Sequence, residues 1–134
     1  MLDHVSITVA DLARAGPFYD AVFDALGHMC VRRDVDVLGY GLRNRPDDDS
    51  HTYISIRATG KPIAADTRHW CFRAPNRQAV DAFHAAGLAA GGCDDGAPGL
   101  RPHYHDAYYA AFLIDPDGNR IEAVCHRPEH ESDD

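Results

Sequence analysis

The chain repeats one pattern of residues at a spacing of 65, and this repeat limits the possible fold more than any other feature. Each copy has a strand start, a helix N-cap candidate, an aromatic residue in the helix and a glycine that ends the helix. The matching pairs are His4 and His69, Asp11 and Asn76, Phe18 and Phe83, and Gly27 and Gly92. Alternating apolar residues predict the strand, and helical periodicity after the cap predicts the helix. The sequence therefore predicts a duplicated module.

Strand-like segments follow each predicted helix. In the first half they cover about 28–34, 36–43 and 52–58, and in the second half 108–114 and 120–125. The Asp-Pro-Asp-Gly sequence at 115–118 predicts a turn between the last two strands. Residues 91–99 are predicted to be a loop, so the strand before residue 108 is only weakly marked. Pro17 predicts that the first helix becomes regular only after that residue.

The length of 134 residues predicts one domain rather than two. We assign residues 1–127 to a single α+β domain of two βαβββ modules, covering about 1–62 and 66–127. Residues 128–134 form an acidic tail. This size allows a sizeable hydrophobic core without disulfides.

The charge balance excludes several classes of partner. There are 13 basic and 21 acidic residues, a net charge of −8, so nucleic acid is not an expected ligand. No apolar run approaches the roughly 20 residues of a membrane helix. The four cysteines lie far apart and the first strand begins near Met1, leaving no room for a signal peptide. We therefore expect reduced thiols and a cytoplasmic protein.

Three residues are candidates for a metal site. His4 and His69 begin the two modules at equivalent positions, and Glu122 lies on an apolar strand where a carboxylate is unfavourable unless a positive group meets it. Two imidazoles and one carboxylate form a facial metal site with open positions. The structural alternatives are a sheet histidine at His4 and an ion pair of Glu122 with Arg57 or Arg73.

These residues resemble the vicinal oxygen chelate superfamily over about residues 2–126. The resemblance rests on His4 in Leu-Asp-His-Val-Ser-Ile, on Phe18-Tyr19 before Leu26-Gly27, on the strand at His69, and on residues 115–122. The superfamily includes glyoxalase I, fosfomycin-resistance thiol transferases, extradiol dioxygenases and bleomycin-resistance proteins. The resemblance implies a curved mixed sheet around a cavity, one divalent metal ion (Mn, Fe, Ni or Zn) held by His4, His69 and Glu122, and a homodimer.

Ser55 departs from the glyoxalase I pattern, which the resemblance implies would have a second glutamate in the first module. Aligning Ile54-Ser55-Ile56 with Ile121-Glu122-Ala123 puts Ser55 opposite Glu122. A serine is a poor base, so this alignment argues against true glyoxalase I activity.

A polar and aromatic segment at 101–109 precedes the strand next to that of Glu122. His103 or Tyr109 could position a substrate oxygen or act as a general acid there. The structural alternative is a loop whose histidines contact only water.

Two functions follow from these expectations. The first is a metal-dependent lyase, isomerase, thiol transferase or dioxygenase acting on a small oxygen-rich molecule, with a thiol as a cosubstrate in the transferase case. The second is a metal-free drug-binding or metabolite-binding protein resembling the bleomycin-resistance proteins. That protein would have an aromatic cavity, for which the candidates are Tyr40, Tyr53, Tyr104 and Tyr109.

Overall fold

The elements follow the chain in two runs of the same order, strand, helix and three strands, which confirms the predicted repeat. The structure is a computed structural model and describes residues 1–64 and 66–129. The first module contains β1 (His4–Val9), α1 (Leu12–Ala25), β2 (Cys30–Arg33), β3 (Val37–Gly41) and β4 (Tyr53–Ala58). The second contains β5 (His69–Arg73), α2 (Arg77–Ala89), β6 (Cys93–Leu100), β7 (Tyr109–Ile114) and β8 (Arg120–Cys125).

The two modules have the same strand order. The sheets run β1-β4-β3-β2 and β5-β8-β7-β6, and in each the first pair is parallel and the others antiparallel. The predicted mixed sheet consists of two four-stranded halves, and in the described part of the chain no strand pair joins them. As a result, β1 and β5 each lie at the edge of a sheet.

Both predicted N-caps are confirmed. The Asp11 carboxylate accepts a hydrogen bond from the Arg14 amide at 2.9 Å, and the Asn76 side chain accepts one from the Ala79 amide at 2.8 Å. Pro17 lies inside α1, so the prediction of a delayed helix start was wrong. The Asp11 cap and the burial of the helix face stabilise the first turns despite the hydrogen bond that Pro17 cannot donate.

The helix ends differ slightly from the predicted repeat. Gly27, after α1, has a φ of 86°, a left-handed conformation that suits glycine. After α2 the corresponding residue is Gly91, with a φ of 101°, and not Gly92. Gly92 instead lies against the Phe18 ring and the Gly87 carbonyl, where a side chain would have no room.

The two modules pack together through their helices. α1 lies against α2, and the Phe23 and Phe72 rings meet edge to face with centroids 5.1 Å apart. The buried Tyr19 hydroxyl donates to Asp115 at 2.5 Å, which fixes α1 to the turn between β7 and β8. The Asn119 side chain donates to the Thr8 carbonyl at 2.9 Å. The core is therefore shared between the modules.

The segment predicted as a loop is the edge strand β6. It pairs with β7 from Cys93 to Leu100, with two register shifts where Asp, Gly and Pro residues interrupt the regular ladder. Such residues are tolerated at a sheet edge, since one side of an edge strand needs no hydrogen-bond donor. This tolerance hid the strand from the sequence pattern.

Three further expectations concern the surface and the tail. No helix in the described part of the chain is long and apolar enough to cross a membrane. All four cysteines are free thiols. Most of the predicted acidic tail, residues 130–134, lies outside the described residues, and its neighbour Glu129 pairs with Arg77 at 3.3 Å.

Candidate functional site

Glu122 is a buried carboxylate on the face of its sheet that turns away from the core. Its side chain is only 3% exposed. In register it lies between Cys71 of β5 and Phe112 of β7. The flanking residues Ile121 and Ala123 point to the opposite face and belong to the hydrophobic core. The alternation of the strand therefore turns Glu122 away from the core residues on either side of it.

Two side chains contact the two oxygens of Glu122. The Tyr108 hydroxyl donates to Oε2 at 2.5 Å, and the His69 Nε2 lies 3.4 Å from Oε1. Neither Arg57 nor Arg73 forms an ion pair with Glu122 in the described structure, so that alternative is not supported. Glu122 thus has one oxygen held by a phenol and the other beside an imidazole.

The surroundings of Glu122 disfavour further negative charge. Burial, followed by the hydrogen bond to Glu122 and its charge, raises the pKa of Tyr108 above its usual range. Burial and then the Glu122 charge raise the pKa of the Cys71 thiol to about 12. Both groups are therefore neutral at physiological pH, and Tyr108 remains a hydrogen-bond donor to the carboxylate.

His69 lies between the buried carboxylate of Glu122 and the solvent. It begins β5 at the sheet edge, and its side chain is 53% exposed. The pair therefore joins a buried acceptor to an accessible imidazole. Imidazole nitrogen and carboxylate oxygen are both ligands of first-row divalent metals.

His4 begins β1, the edge strand of the other sheet. Its Nδ1 lies 2.8 Å from an Asp3 carboxylate oxygen, and its side chain is 63% exposed. A carboxylate at Nδ1 selects the tautomer that leaves Nε2 as the ligating nitrogen, as is usual for metal-binding histidines. Among the described residues, no group of three His, Cys, Asp or Glu is close enough to hold a metal within one chain. The structure therefore brings together Glu122 and His69, but not His4.

Ser55 occupies the position in the first module that Glu122 occupies in the second. It pairs with Ser6 on β1, as Glu122 pairs with Cys71 on β5. Ser55 is 3% exposed, and the Ser6 and Ser55 hydroxyls are 2.8 Å apart. The predicted alignment of Ser55 with Glu122 agrees with this register.

The 101–109 segment reaches Glu122 through Tyr108. The Tyr109 hydroxyl donates to Asp81 at 2.6 Å, on the face next to α2, and is not brought to Glu122. His103 lies further out, with its ring centroid 4.2 Å from that of Tyr104, which lies 4.8 Å from Tyr108. The catalytic roles suggested for His103 and Tyr109 remain untested predictions.

The turn at 115–118 contains the signal that would have identified Tyr108. The hairpin pairs Ile114 with Arg120 and Phe112 with Glu122. Strand alternation then places residues 112, 110 and 108 on the Glu122 face. Counting back from the turn, rather than choosing an aromatic residue by type, selects Tyr108.

A divalent cation fits part of what one chain provides. The donors His69 and Glu122 have suitable chemistry, and the buried carboxylate lacks an arginine or lysine partner in the described structure. Two protein donors are fewer than the three of a facial site. A facial site would need a third donor in addition to this pair.

Comparisons with known proteins identify relatives of the whole chain. Residues 1–123 match the model of the Glyoxalase/Bleomycin resistance protein/Dioxygenase superfamily. A crystal structure of a glyoxalase/bleomycin resistance protein from Albidiferax ferrireducens T118 is 34% identical, with a TM-score of 0.76, covering 96% of this chain and 99% of that one. No functionally curated protein matches the sequence.

Two more distant structures share the fold. A glyoxalase-related enzyme from Fulvimarina pelagi is 17% identical with a TM-score of 0.68, covering 93% of this chain and 87% of that one. A glyoxalase I mutant from Zea mays is 20% identical with a TM-score of 0.59, covering 92% of this chain and 46% of that one. At these identities the likeness concerns the fold alone.

Proposed function

Because the chain belongs to the glyoxalase/bleomycin resistance protein/dioxygenase superfamily, we propose that it is a divalent-metal-dependent enzyme acting on a small oxygen-rich molecule. One observation carries the proposal: buried Glu122 has an oxygen 3.4 Å from the exposed imidazole of His69. A buried carboxylate is unfavourable unless a positive charge meets it. A divalent cation would provide that charge.

A second copy of the chain supplies the third ligand in this proposal. His4 and His69 begin edge strands, β1 and β5, of two separate sheets. Pairing β1 of one copy with β5 of another would satisfy both edges and bring His4 to the His69–Glu122 pair. A twofold dimer contains two such contacts, so each dimer would have two sites. The predicted homodimer and cytoplasmic location are part of this proposal.

The proposal gives each residue around Glu122 a separate role. His4, His69 and Glu122 would hold Mn²⁺, Fe²⁺, Ni²⁺ or Zn²⁺, with open positions for two vicinal oxygens of the substrate. The bound cation would act as a Lewis acid that stabilises an oxyanion or enolate of the substrate. Tyr108 keeps Glu122 Oε2 occupied, so Oε1 is the oxygen available for binding. Because its side chain is only 3% exposed, Glu122 has little contact with water.

The proposed ligand set is compatible with more than one class of reaction. Lyase or isomerase chemistry, addition of a thiol cosubstrate and oxygenation are all compatible with a His-His-Glu set. Ser55, which replaces the fourth ligand of glyoxalase I-type sites, disfavours true glyoxalase I activity. A serine hydroxyl cannot exchange protons with a substrate carbon as a carboxylate does.

A metal-free binding protein is the second candidate. The observation in its favour is that one chain, as far as it is described, contains no group of three metal-binding side chains. It predicts a small-molecule ligand and no tightly bound metal.

Metal binding tests the proposal directly. We expect near-stoichiometric metal by plasma mass spectrometry after reconstitution of the full chain with each of the four ions. His69→Ala should weaken binding by about 100-fold or more, because it removes a direct ligand. The matched control is His84→Ala, since His84 Nε2 also contacts a carboxylate, Asp94, at 2.8 Å but lies elsewhere. The control should bind metal within about twofold of the parent. Failure to take up any of the four ions would favour the binding protein.

Mixing two variants tests where His4 comes from. Neither His4→Ala nor His69→Ala should bind metal tightly alone. Unfolding and refolding them together should restore about a quarter of the parent's sites, because half of the dimers are mixed and each has one intact site. A site built within one chain would give no restoration.

A further inference from the structure

A cavity of about 330 Å³ opens on the outer face of the first module. Its lining includes three arginines, Arg32, Arg43 and Arg45, together with His51 and Tyr53. No acidic side chain lines it in the described part of the chain, although Asp48 contacts the His51 ring at 2.8 Å. The chain has only 13 lysines and arginines, and three of them meet at this cavity. Guanidinium groups gathered around one cavity can bind anions.

Arg43 is held in place by an aromatic ring. Its guanidinium carbon lies 3.9 Å from the centroid of Tyr53, which is itself only 3% exposed. This cation–π contact holds the guanidinium over the ring, and its N–H donors can still bind a ligand. This planar fork matches the oxygens of a carboxylate or a phosphate.

Arg32 and Arg45 use only part of their hydrogen-bonding capacity within the chain. Arg32 contacts Asp34 through Nε at 2.6 Å, and Arg45 contacts Asp47 through Nε at 3.8 Å. Both pairs are exposed to solvent, so each contributes little. The terminal nitrogens of both guanidinium groups are not engaged by these contacts and can donate to an incoming anion.

The loop that carries Arg45 and His51 is held by its own hydrogen bonds. The backbones of Arg45 and Asp48 exchange two hydrogen bonds, at 2.9 and 3.0 Å. The Asn44 side chain accepts from the His51 amide and donates to the His51 carbonyl, both at 2.8 Å. A preformed loop loses little conformational entropy when a ligand binds.

The cavity lies next to His4. Tyr53 is the register partner of His4 across β1 and β4. The Asn44 side chain also donates to Asp3 at 2.7 Å, and Asp3 is the carboxylate that contacts the His4 ring. A group bound among the arginines is therefore close to the strand end where His4 is presented.

We propose that this arginine cavity binds a phosphate or carboxylate group of the protein's ligand, so that the ligand is an anionic oxygen-rich molecule. The identification of this ligand as the substrate of a metal site rests on the proposed function. Anion binding by the cavity is independent of the proposed function, because none of the cavity residues is a proposed metal ligand.

The test is an NMR titration of the full chain, after treatment with a chelating resin, with inorganic phosphate and separately with acetate. Sodium chloride at equal ionic strength serves as the reference. We expect saturable shifts at the Nε–H groups of Arg32, Arg43 and Arg45 and in the 42–53 backbone. Phosphate and acetate identify which oxyanion is preferred. Arg43→Gln should weaken binding at least about tenfold, since it removes the stacked fork.

Two variants separate this inference from the proposed function. Arg68→Gln is the matched control, because Arg68 contacts Asp66 through Nε at 2.6 Å, as Arg32 contacts Asp34, but lies outside the cavity. It should bind within about twofold of the parent. His69→Ala should also bind normally even if it loses metal. Equal binding by the parent and Arg43→Gln, or shifts that map away from residues 32–53, would overturn the inference.

Discussion

The two modules share a backbone but differ in the chemistry of their outer faces. In the first, Ser6 and Ser55 form a neutral pair with hydroxyls 2.8 Å apart. In the second, the equivalent positions hold Cys71 and Glu122, with Tyr108 donating to the carboxylate. The strand order and the parallel first pair are identical. The scaffold therefore tolerates either a small hydroxyl or a buried charge at one position, provided the neighbours suit it.

The neighbours explain the difference. Glu122 has Phe112 beside it in register and a tyrosine donor above it. Ser55 has Gly39 in that position, and the Tyr53 ring fills the space over this glycine. The first module instead presents His4 and the arginine cavity to its surroundings. In the proposed dimer His4 from one copy would meet the carboxylate of the other.

Ser55→Glu tests whether the first module can hold a buried carboxylate as the second does, and it should have the largest effect on stability. The new carboxylate would be buried near the neutral hydroxyls of Ser6 and Tyr53. His4, the counterpart of the His69 imidazole that lies beside Glu122, is already engaged by Asp3. We expect the free energy of unfolding to fall by about 3 kcal/mol, the scale for an uncompensated buried charge. Urea unfolding followed by circular dichroism measures it.

Ser55→Ala is the control for that experiment. It removes only the hydroxyl bonded to Ser6, so the loss should be about 1 kcal/mol. If Ser55→Glu were as mild as Ser55→Ala, the first module could accept a carboxylate as readily as the second, and the contrast would not depend on the neighbours.

Regular features of this fold could be predicted from the sequence, whereas features set by register and by edges could not. The repeat, both N-caps and the Ser55–Glu122 equivalence depend on local patterns and were predicted. β6 was missed because an edge strand tolerates Gly, Asp and Pro. Tyr109 was chosen over Tyr108 because their difference depends on pairing with β8. The arginine cavity escaped detection because loop contacts such as Asn44 with His51 assemble it.

A glycine in each helix allows a second comparison of the modules, with a smaller expected effect on stability. A Cβ on Gly87 in α2 would collide with Leu113 and crowd Val22. A Cβ on Gly16 in α1 would lie an ordinary 3.5 Å from Leu38, but Gly16 precedes Pro17, whose ring crowds a side chain on the helical residue before it. Gly87→Ala should therefore lower the free energy of unfolding by about 2 kcal/mol. Gly16→Ala should change it by no more than about 0.5 kcal/mol, because lower backbone entropy in the unfolded chain offsets the crowding by Pro17. Thermal and urea unfolding would contradict this if Gly16→Ala were as destabilising as Gly87→Ala.

Tyr19→Phe probes the link between the modules, with the smallest effect at neutral pH. Asp115 keeps other donors, including the Asn119 side chain at 2.8 Å, so the loss should be about 1 kcal/mol. Burial, and then the charge of Asp115, raise the pKa of Tyr19 well above 10.0.

The sign of the pH dependence follows from this raised pKa. The stabilisation is fully present below pH 10.0, where tyrosine is neutral in both states, and declines above it as the unfolded state ionises. Tyr19 alone should therefore reduce the parent's stability by about 1.4 kcal/mol per pH unit above 10, and Tyr19→Phe should remove that slope. Urea midpoints between pH 9 and 11 measure it, with Tyr104→Phe as the control because Tyr104 is 61% exposed. If the urea midpoints of the parent and Tyr19→Phe changed in parallel with pH, ionisation of Tyr19 would not contribute to the loss of stability at high pH.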